Sequence, residues 1–215
     1  MNIEKNKTIL IIANGDPPGD IILNQLVVKS DVIIASDGGS NICHQNNIYP
    51  HFIIGDLDSI EARLFSFFKD AEVIQLIDQE THDLAKAIGF AKTLKPRLIL
   101  ITAAFGKRLD HSLANLLLLQ NEFKNVPLEF YDDYGQLSII TSHHQLKLSV
   151  GQTVSLFSFL PVFGLSLSGF KYPLQNKDFP SGFNGLSNVI TSAAAQISIK
   201  KGFLYLYITN EYTAP

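Results

Sequence analysis

Between Thr8 and Tyr131, short apolar runs rich in Ile and Val alternate with stretches of helical period, and this alternation restricts the fold more than any other feature. The runs are Ile9–Ala13, Val32–Ser36, Phe52–Ile54, Val73–Leu76, Leu98–Thr102 and Leu128–Tyr131. Near-continuous hydrophobic strands are buried on both faces, and strands separated by helices pair in parallel, so the pattern predicts a mostly parallel sheet covered by helices. Helices are expected from near Asp20, over Ser40–Gln45, Ile60–Lys69 and Ser112–Leu119, and over residues 81–93, where Leu84, Ile88 and Ala91 share a stripe and Asp83 falls in the first turn. Beyond Tyr131-Asp132-Asp133-Tyr134-Gly135 the helical period disappears. Strand-like alternation follows at Gln145–Val150, Thr153–Phe159, Gln196–Ile199 and Phe203–Ile208. The expected architecture is an N-terminal three-layer α/β domain over residues 1–133 and a C-terminal all-β sandwich over residues 134–215. The polar, Gly- and Pro-containing stretch Asn176–Asn184 is expected to form a mobile loop.

Composition narrows the function classes. With 46% hydrophobic and 17% charged residues in 215, the chain can bury a sizeable core. A net charge of -3, with lysines and arginines spread along the chain, leaves no basic face for nucleic acid, so a small substrate is expected. The single cysteine, Cys43, excludes an intrachain disulfide framework. Met1-Asn2-Ile3-Glu4-Lys5-Asn6-Lys7 does not read as a signal peptide, and the apolar stretch Ser155–Phe170 is interrupted by Pro161 and Gly164. A cytoplasmic protein without membrane attachment is therefore expected.

The candidate site residues all follow strands. In Gly55-Asp56-Leu57-Asp58-Ser59, residues i and i+2 of an extended loop project the same way, so Asp56 and Asp58 can converge on a hard cation such as Mg²⁺; equally, Asp58 or Ser59 can cap the next helix. Asn14-Gly15-Asp16-Pro17-Pro18-Gly19 sits where backbone N–H groups receive phosphate, although a tight strand-to-helix turn explains it as well. In Ser36-Asp37-Gly38-Gly39, the glycines allow a ligand or another backbone close approach, and Asp37 can serve a ribose hydroxyl, a bound water or the following helix as its N-cap. Asp78-Gln79-Glu80-Thr81-His82-Asp83 crowds acids that a cation would relieve, and Lys86, one turn on, can pair with Asp83 or reach a phosphate. In Gly106-Lys107-Arg108-Leu109-Asp110-His111, Arg108 offers a planar donor fork for phosphate, Asp110 can cap the helix, and His111 can carry a proton. Asn115, among leucines, needs a partner if buried. Carboxylates with Lys and Arg at one sheet edge are the equipment of phosphoryl or diphosphoryl transfer.

Taken in order, Ser36-Asp37-Gly38-Gly39, Gly55-Asp56-Leu57-Asp58-Ser59, Asp78-Gln79-Glu80 with Asp83 and Lys86, and Arg108-Leu109-Asp110-His111 with Leu113-Ala114-Asn115 resemble the motif series of thiamine pyrophosphokinases. The resemblance continues through Gly169-Phe170-Lys171-Tyr172 and Gly185-Leu186-Ser187-Asn188, and so spans nearly the whole chain. It implies transfer of a diphosphate group from ATP to the hydroxyl of thiamine, on an α/β domain followed by a β-sandwich. By that resemblance Asp56, Asp58 and Asp83 hold Mg²⁺, and Arg108 and Asp110 complete the catalytic set. Asn14, Gly15, Asp37, Gly38, Gly39, Lys86, Arg108 and His111 serve ATP, and Gln79, Ser187 and Asn188 meet thiamine. It also implies a homodimer whose sites are shared between subunits.

The chain departs from the family pattern in three places. Thr102-Ala103-Ala104-Phe105-Gly106-Lys107 keeps only Gly106 where the family carries more glycines, His82 stands where Thr is usual, and Glu80 where Asp is usual. Two other readings remain open: a diphosphokinase for another alcohol, such as a hydroxymethylpterin, and a thiamine or nucleotide sensor without turnover.

Overall fold

The computed structural model describes residues 6–58, 60, 63–77 and 81–210, with backbone alone at Arg63 and Phe65. The chain divides into two compact units, Met1–Asp133 and Tyr134–Pro215.

In the first unit the strands are β1 (Thr8–Ile12), β2 (Val32–Ser36), β3 (Phe52–Gly55), β4 (Glu72–Gln75), β5 (Leu98–Thr102) and β6 (Leu128–Tyr131). They lie in the order β6-β5-β1-β2-β3-β4, every pair parallel. The helices are α1 (Asp20–Val28), α2 (Gly39–Gln45), α3 (Arg63–Phe67), α4 (Asp83–Thr93) and α5 (Leu109–Glu122). Side chains alternate across a strand, and the sheet uses both faces. Leu10, Ile12, Ile33, Ala35, Ile53 and Leu100 pack with Leu23, Leu26, Ile42, Cys43 and Leu64, which puts α1, α2 and α3 on one face. Phe52, one residue out of step with Ile53, meets Phe90 of α4 at 4.9 Å between ring centres. Lys92 of α4 bonds Glu122 of α5 at 2.8 Å, so these two helices share the opposite face. This is the expected three-layer arrangement. Cys43 is enclosed in the first of these layers, and burial pushes its thiol up to about 12, so it is no nucleophile.

From β1 the chain steps outward to β4 in one direction and, through β5, to β6 in the other. The reversal falls between β1 and β5. Such a switch point opens a crevice beyond the carboxyl ends of the strands, because the helices following the two strands leave on opposite faces.

The second unit contains β7 (Gly135–Ile140), β8 (His143–Gln145), β9 (Thr153–Ser158), β10 (Val162–Ser168), β11 (Leu174–Phe179), β12 (Phe183–Val189), β13 (Gln196–Ser198) and β14 (Leu204–Thr209). One antiparallel sheet runs β12-β9-β14-β7 and the other β11-β10-β13-β8. Val154, Leu156, Leu204 and Leu206 of the first face Val162, Leu165, Leu167 and Ile197 of the second across a shared core, the expected sandwich.

Three local expectations are corrected. Asn176–Asn184 is not a mobile loop: it forms most of β11, a tight turn closed by Gly182 N–H to the Phe179 carbonyl at 3.3 Å, and the start of β12. Both strands are sheet edges whose residues are mostly exposed or half-buried, so polar side chains suffice and no apolar alternation marks them. The strand expected at Gln145–Val150 lies earlier, at β8, where its pairing with β13 ends at Gln145 and Leu146 turns into the core. The helix expected over Ile60–Lys69 ends at Phe67, the last residue of α3, where a turn at residues 68–70 stops it; residues 61 and 62 lie outside the described residues. Among the described residues, no helix is long and apolar enough to cross a membrane.

Candidate active site

The strand ends at the switch point are stitched together by backbone bonds. Ala13 N–H donates to the Thr102 carbonyl at 2.9 Å, Gly15 N–H to Ala103 at 2.6 Å and Asp16 N–H to Phe105 at 2.8 Å. A Cβ at Gly15 would lie 2.3 Å from the Phe105 carbonyl oxygen, so only glycine allows the β1–α1 loop to lie against the β5–α5 loop. Of the two close approaches that the glycines beside Asp37 allow, by a ligand or by another backbone, the structure shows that of the protein itself. A Cβ at Gly38 would meet the Asn14 side chain at 2.3 Å, and one at Gly39 the Ile12 carbonyl oxygen at 2.1 Å. Asn14 thereby touches the loop after β2 as well as receiving the Lys107 ammonium on its carbonyl (2.8 Å) and Oδ1 (3.2 Å).

Beneath these loops lies a cavity of about 240 Å³ lined by Asn14, Gly15, Asp37, Asp83, Lys107, Arg108 and their neighbours. It brings together residues from the loops after β1, β2 and β5 and from the start of α4. His82, Ser36 and Asn115 also line it. Asn115 is buried and donates to the Ala104 carbonyl at 2.5 Å, which supplies the partner its sequence setting demanded and fixes the loop above α5.

Three carboxylates converge at one side. Oxygens of Asp37, Asp56 and Asp58 all lie within 4.8 Å of one another, with Asp37 buried and Asp58 exposed. The loop that carries two of them is shaped by Leu57 at φ +71°, by Asp58 N–H donating to Asp56 Oδ1 at 3.3 Å, and by Gln75 of β4 donating to the Asp56 carbonyl at 3.1 Å. Asp37, at φ +44°, extends the β2–β3 ladder through its N–H to the Ile54 carbonyl at 2.7 Å. Its approach depends on Gly55, where an added Cβ would stand 2.7 Å from Asp37 Cβ. Gly55→Ala is therefore expected to displace Asp37 from the other two acids while leaving a folded chain. Turnover should fall about 10- to 100-fold, the scale set by misplacing a functional group by roughly 1 Å. Full activity in a variant with native circular dichroism would detach Asp37 from the site.

Asp37 was assigned by sequence to the nucleotide, and its place among the acids depends on a contact across β2 and β3 that no local spacing reveals. Asp83, grouped with Asp56 and Asp58 by the resemblance, is not part of this convergence. It lines the cavity and accepts from Lys86 Nζ at 3.3 Å, one turn along α4, with the lysine side chain buried. His82 precedes it at the N-cap of α4. Burial lowers the His82 pKa, the Asp83 carboxylate opposes this, and positive charge at His111 and Lys86 adds to it, which favours a neutral imidazole in the cleft. His82 was noted in the sequence only as a departure from the family pattern.

Arg108 lines the cavity, and its fork closes on Asp110, Nε to Oδ1 at 3.0 Å and Nη2 to Oδ2 at 2.5 Å. Arg108, not Asp110, occupies the N-cap of α5, without a side-chain capping bond. The Arg108 hydrogen bond, aided by the His111 N–H, holds the exposed Asp110 carboxyl down at about 2. This pairing uses one edge of the guanidinium and leaves the Nη1 edge for another acceptor. His111 also lines the cavity, while the exposed Asp110 is not among its lining residues.

Of the residues expected to meet thiamine, Gln79 lies outside the described residues. In the second unit, Ser187 sits at φ +53° in a bulge of β12, where pairing shifts between Gly185–Leu156 and Asn188–Val154; its N–H donates to Ser155 Oγ at 3.0 Å. Asn188 is buried and spends its amide on backbone. Oδ1 accepts from Tyr172 N–H (3.0 Å) and Val189 N–H (2.9 Å), and Nδ2 donates to the Tyr172 carbonyl (3.0 Å).

Residues 23–130 match the family model for the thiamin pyrophosphokinase catalytic domain, and residues 140–204 match that for the thiamin pyrophosphokinase vitamin B1 binding domain. The chain belongs to the thiamin pyrophosphokinase family. A thiamine pyrophosphokinase of Bacillus subtilis is 28% identical over 211 residues, covering 93% of this chain and 97% of the relative. Thiamin pyrophosphokinase 1 of Caenorhabditis elegans is 25% identical over 217 residues, covering 92% and 88%. A crystal structure of the Bacillus subtilis thiamine pyrophosphokinase superposes with a TM-score of 0.82 at 26% identity, over 95% of this chain and 100% of that one. The thiamin pyrophosphokinase of Candida albicans shares the fold, with a TM-score of 0.82 at 17% identity over 98% and 90%.

Proposed function

We propose that this chain transfers the diphosphate group of ATP to the hydroxyl of thiamine, giving thiamine diphosphate and AMP. The observation that carries the reading is that catalytic and vitamin B1 binding family models match successive parts of one chain whose first unit gathers carboxylates and cations around a cleft at the switch point. The hydroxyl oxygen of thiamine attacks the β-phosphorus and loses its proton, the bond from that phosphorus to the oxygen bridging to the α-phosphorus breaks, and AMP departs with that oxygen. Little covalent chemistry falls to the protein in such a transfer; positioning and charge neutralisation supply the rate.

The acids fit a divalent cation. Oxygens within 4.8 Å of one another are within reach of one ion that binds oxygen at about 2.0–2.6 Å. In this reading Asp37, Asp56 and Asp58 hold Mg²⁺, which when bound neutralises phosphate charge. Asp83 orients the buried Lys86 toward the cleft, and Asp110 holds Arg108 so that its remaining edge faces phosphate. Homodimer formation and a cytoplasmic location, both implied by sequence, belong to the same proposal.

The test is incubation of the purified chain with ATP, MgCl₂ and thiamine, with AMP and thiamine diphosphate as the readout. Binding of both substrates without product would convert the reading to a sensor, and product only with a hydroxymethylpterin would change the acceptor. Arg108→Lys should lower turnover about tenfold with little change in the KM for thiamine, because an ammonium keeps the charge and loses the planar fork, at a cost typical of one charge-assisted hydrogen bond. An unchanged rate would return Arg108 to a surface pair.

A further inference from the structure

Lys107 and Arg108, which line the cleft, and Lys86, which lies behind Asp83, differ in how their charge is already used. Lys86 stands 3.3 Å from an oxygen of Asp83, and Arg108 is closed on Asp110, so each has a carboxylate beside it. Lys107 is held differently. The oxygens that receive its ammonium are neutral, the carbonyl and Oδ1 of Asn14 at 2.8 and 3.2 Å. Its backbone is folded back over the β1–α1 loop by two successive left-handed residues, Gly106 at φ +88° and Lys107 itself at φ +52°, a conformation unfavourable for a residue with a Cβ. The turn is anchored by Lys107 N–H donating to Asp16 Oδ2 at 3.3 Å and by contact of Gly106 with the Asp16 carboxylate. Lys107 also lines the cavity, as does Asp37 of the acids that would hold the metal. A polyphosphate brings more negative charge than one divalent cation cancels, and the positive charge best able to meet the excess is an ammonium that, among the described residues, bonds only neutral oxygens.

We propose that Lys107 is a polyphosphate-binding residue of this cleft, its ammonium leaving the Asn14 oxygens for an oxygen of the diphosphate that is transferred. This rests on the nucleotide reading above. Asn14 then acts as the resting partner that keeps the side chain over the cleft, and its neutral oxygens surrender the ammonium at little electrostatic cost. Arg108 and Lys86 orient the chain of phosphates, while Lys107 adds net positive charge.

Binding without turnover isolates the effect. The analogue of ATP with a methylene group between the α- and β-phosphorus atoms lacks the bond that breaks, and AMP lacks the diphosphate. Titration calorimetry in MgCl₂ would compare both ligands on the full chain and on Lys107→Gln, Lys107→Gly and Lys107→Arg. Gln retains a donor for Asn14 without charge, and Gly accepts the left-handed backbone, so a folding defect in one variant does not block the test. Lys107→Gln and Lys107→Gly should weaken the methylene analogue about tenfold, as for one charge-assisted hydrogen bond, and leave AMP within about twofold. Lys107→Arg should bind close to wild type, and raising salt should weaken the analogue more in wild type than in Lys107→Gln. Equal loss for both ligands would make Lys107 a tether of the loop, and no loss for either would make it a surface residue; each outcome overturns the proposal. Wild type that binds neither ligand would overturn the nucleotide reading itself, a failure visible before any variant is compared.

Discussion

Asp56→Asn is expected to abolish diphosphate transfer, by about a thousandfold or more, with almost no change in thermal melting. Several kcal/mol of transition-state charge stabilisation depend on the cation, and each roughly 1.4 kcal/mol is a factor of ten in rate. The amide is isosteric and its oxygen can still accept from Asp58 N–H, so the loop survives while the charge that would bind the cation is lost. Asp58→Asn should behave alike. Asp37→Asn tests the reading most sharply, since sequence placed that residue with the nucleotide and the structure places it with the other two acids. Its loss should also approach a thousandfold if it binds the cation, against a loss of several-fold if it only meets a ribose hydroxyl. The measurement is AMP production at saturating MgCl₂, with differential scanning calorimetry as control. Near-normal turnover in any one of the three would remove that residue from the metal set.

The legible parts of this molecule are those whose cause is local. β2, β5 and β6 match the expected runs residue for residue; β2 and nearly all of β5 are buried on both faces and so are almost wholly apolar, while β6 alternates and carries the half-buried Glu129. Asp56 and Asp58 were legible as a pair from their spacing, although the loop is not extended as expected: Leu57 at φ +71° turns it, and Asp58 N–H closes on Asp56 Oδ1. Asp37 was not legible as their third member. Its position requires β2 and β3 to pair with Ser36 beside Ile54, and Gly55 to give way beneath Asp37 Cβ. The same holds for Gly38 and Gly39, whose neighbours are Asn14 and Ile12, far away in sequence. β11 and β12 escaped notice for another reason: an edge strand in water needs backbone pairing on one side and no apolar face. Asn115 shows how a local conflict can still inform, since one amide among leucines required a buried partner, and the Ala104 carbonyl is that partner.

Asn188→Ala should clearly destabilise the second unit, and it separates two roles that the resemblance merges. The substitution removes an amide that satisfies Tyr172 N–H, Val189 N–H and the Tyr172 carbonyl, in a side chain only 4% exposed. Leaving buried backbone groups unpaired costs about 1–3 kcal/mol each, so a loss on the order of 3 kcal/mol is expected after partial rehydration. Denaturant titration should register it as an earlier midpoint. Asn188→Asp keeps both acceptor bonds but sets a carboxylate against the Tyr172 carbonyl, and should be destabilised as well, increasingly so as the pH rises and the carboxyl ionises. Ser187→Ala is the contrasting change. Ser187 is exposed on the bulge and its bond to Ser155 Oγ uses the backbone N–H, which alanine retains, so stability should hardly move. If the hydroxyl meets thiamine, the KM for thiamine should rise several-fold, the scale of one neutral hydrogen bond, with ATP handling unchanged. Asn188 would then act by fixing the Lys171-Tyr172 backbone and Ser187 by contact. Native stability in Asn188→Ala together with a raised KM for thiamine would reverse that division, because an amide that can be deleted without cost to the fold is one that serves the ligand.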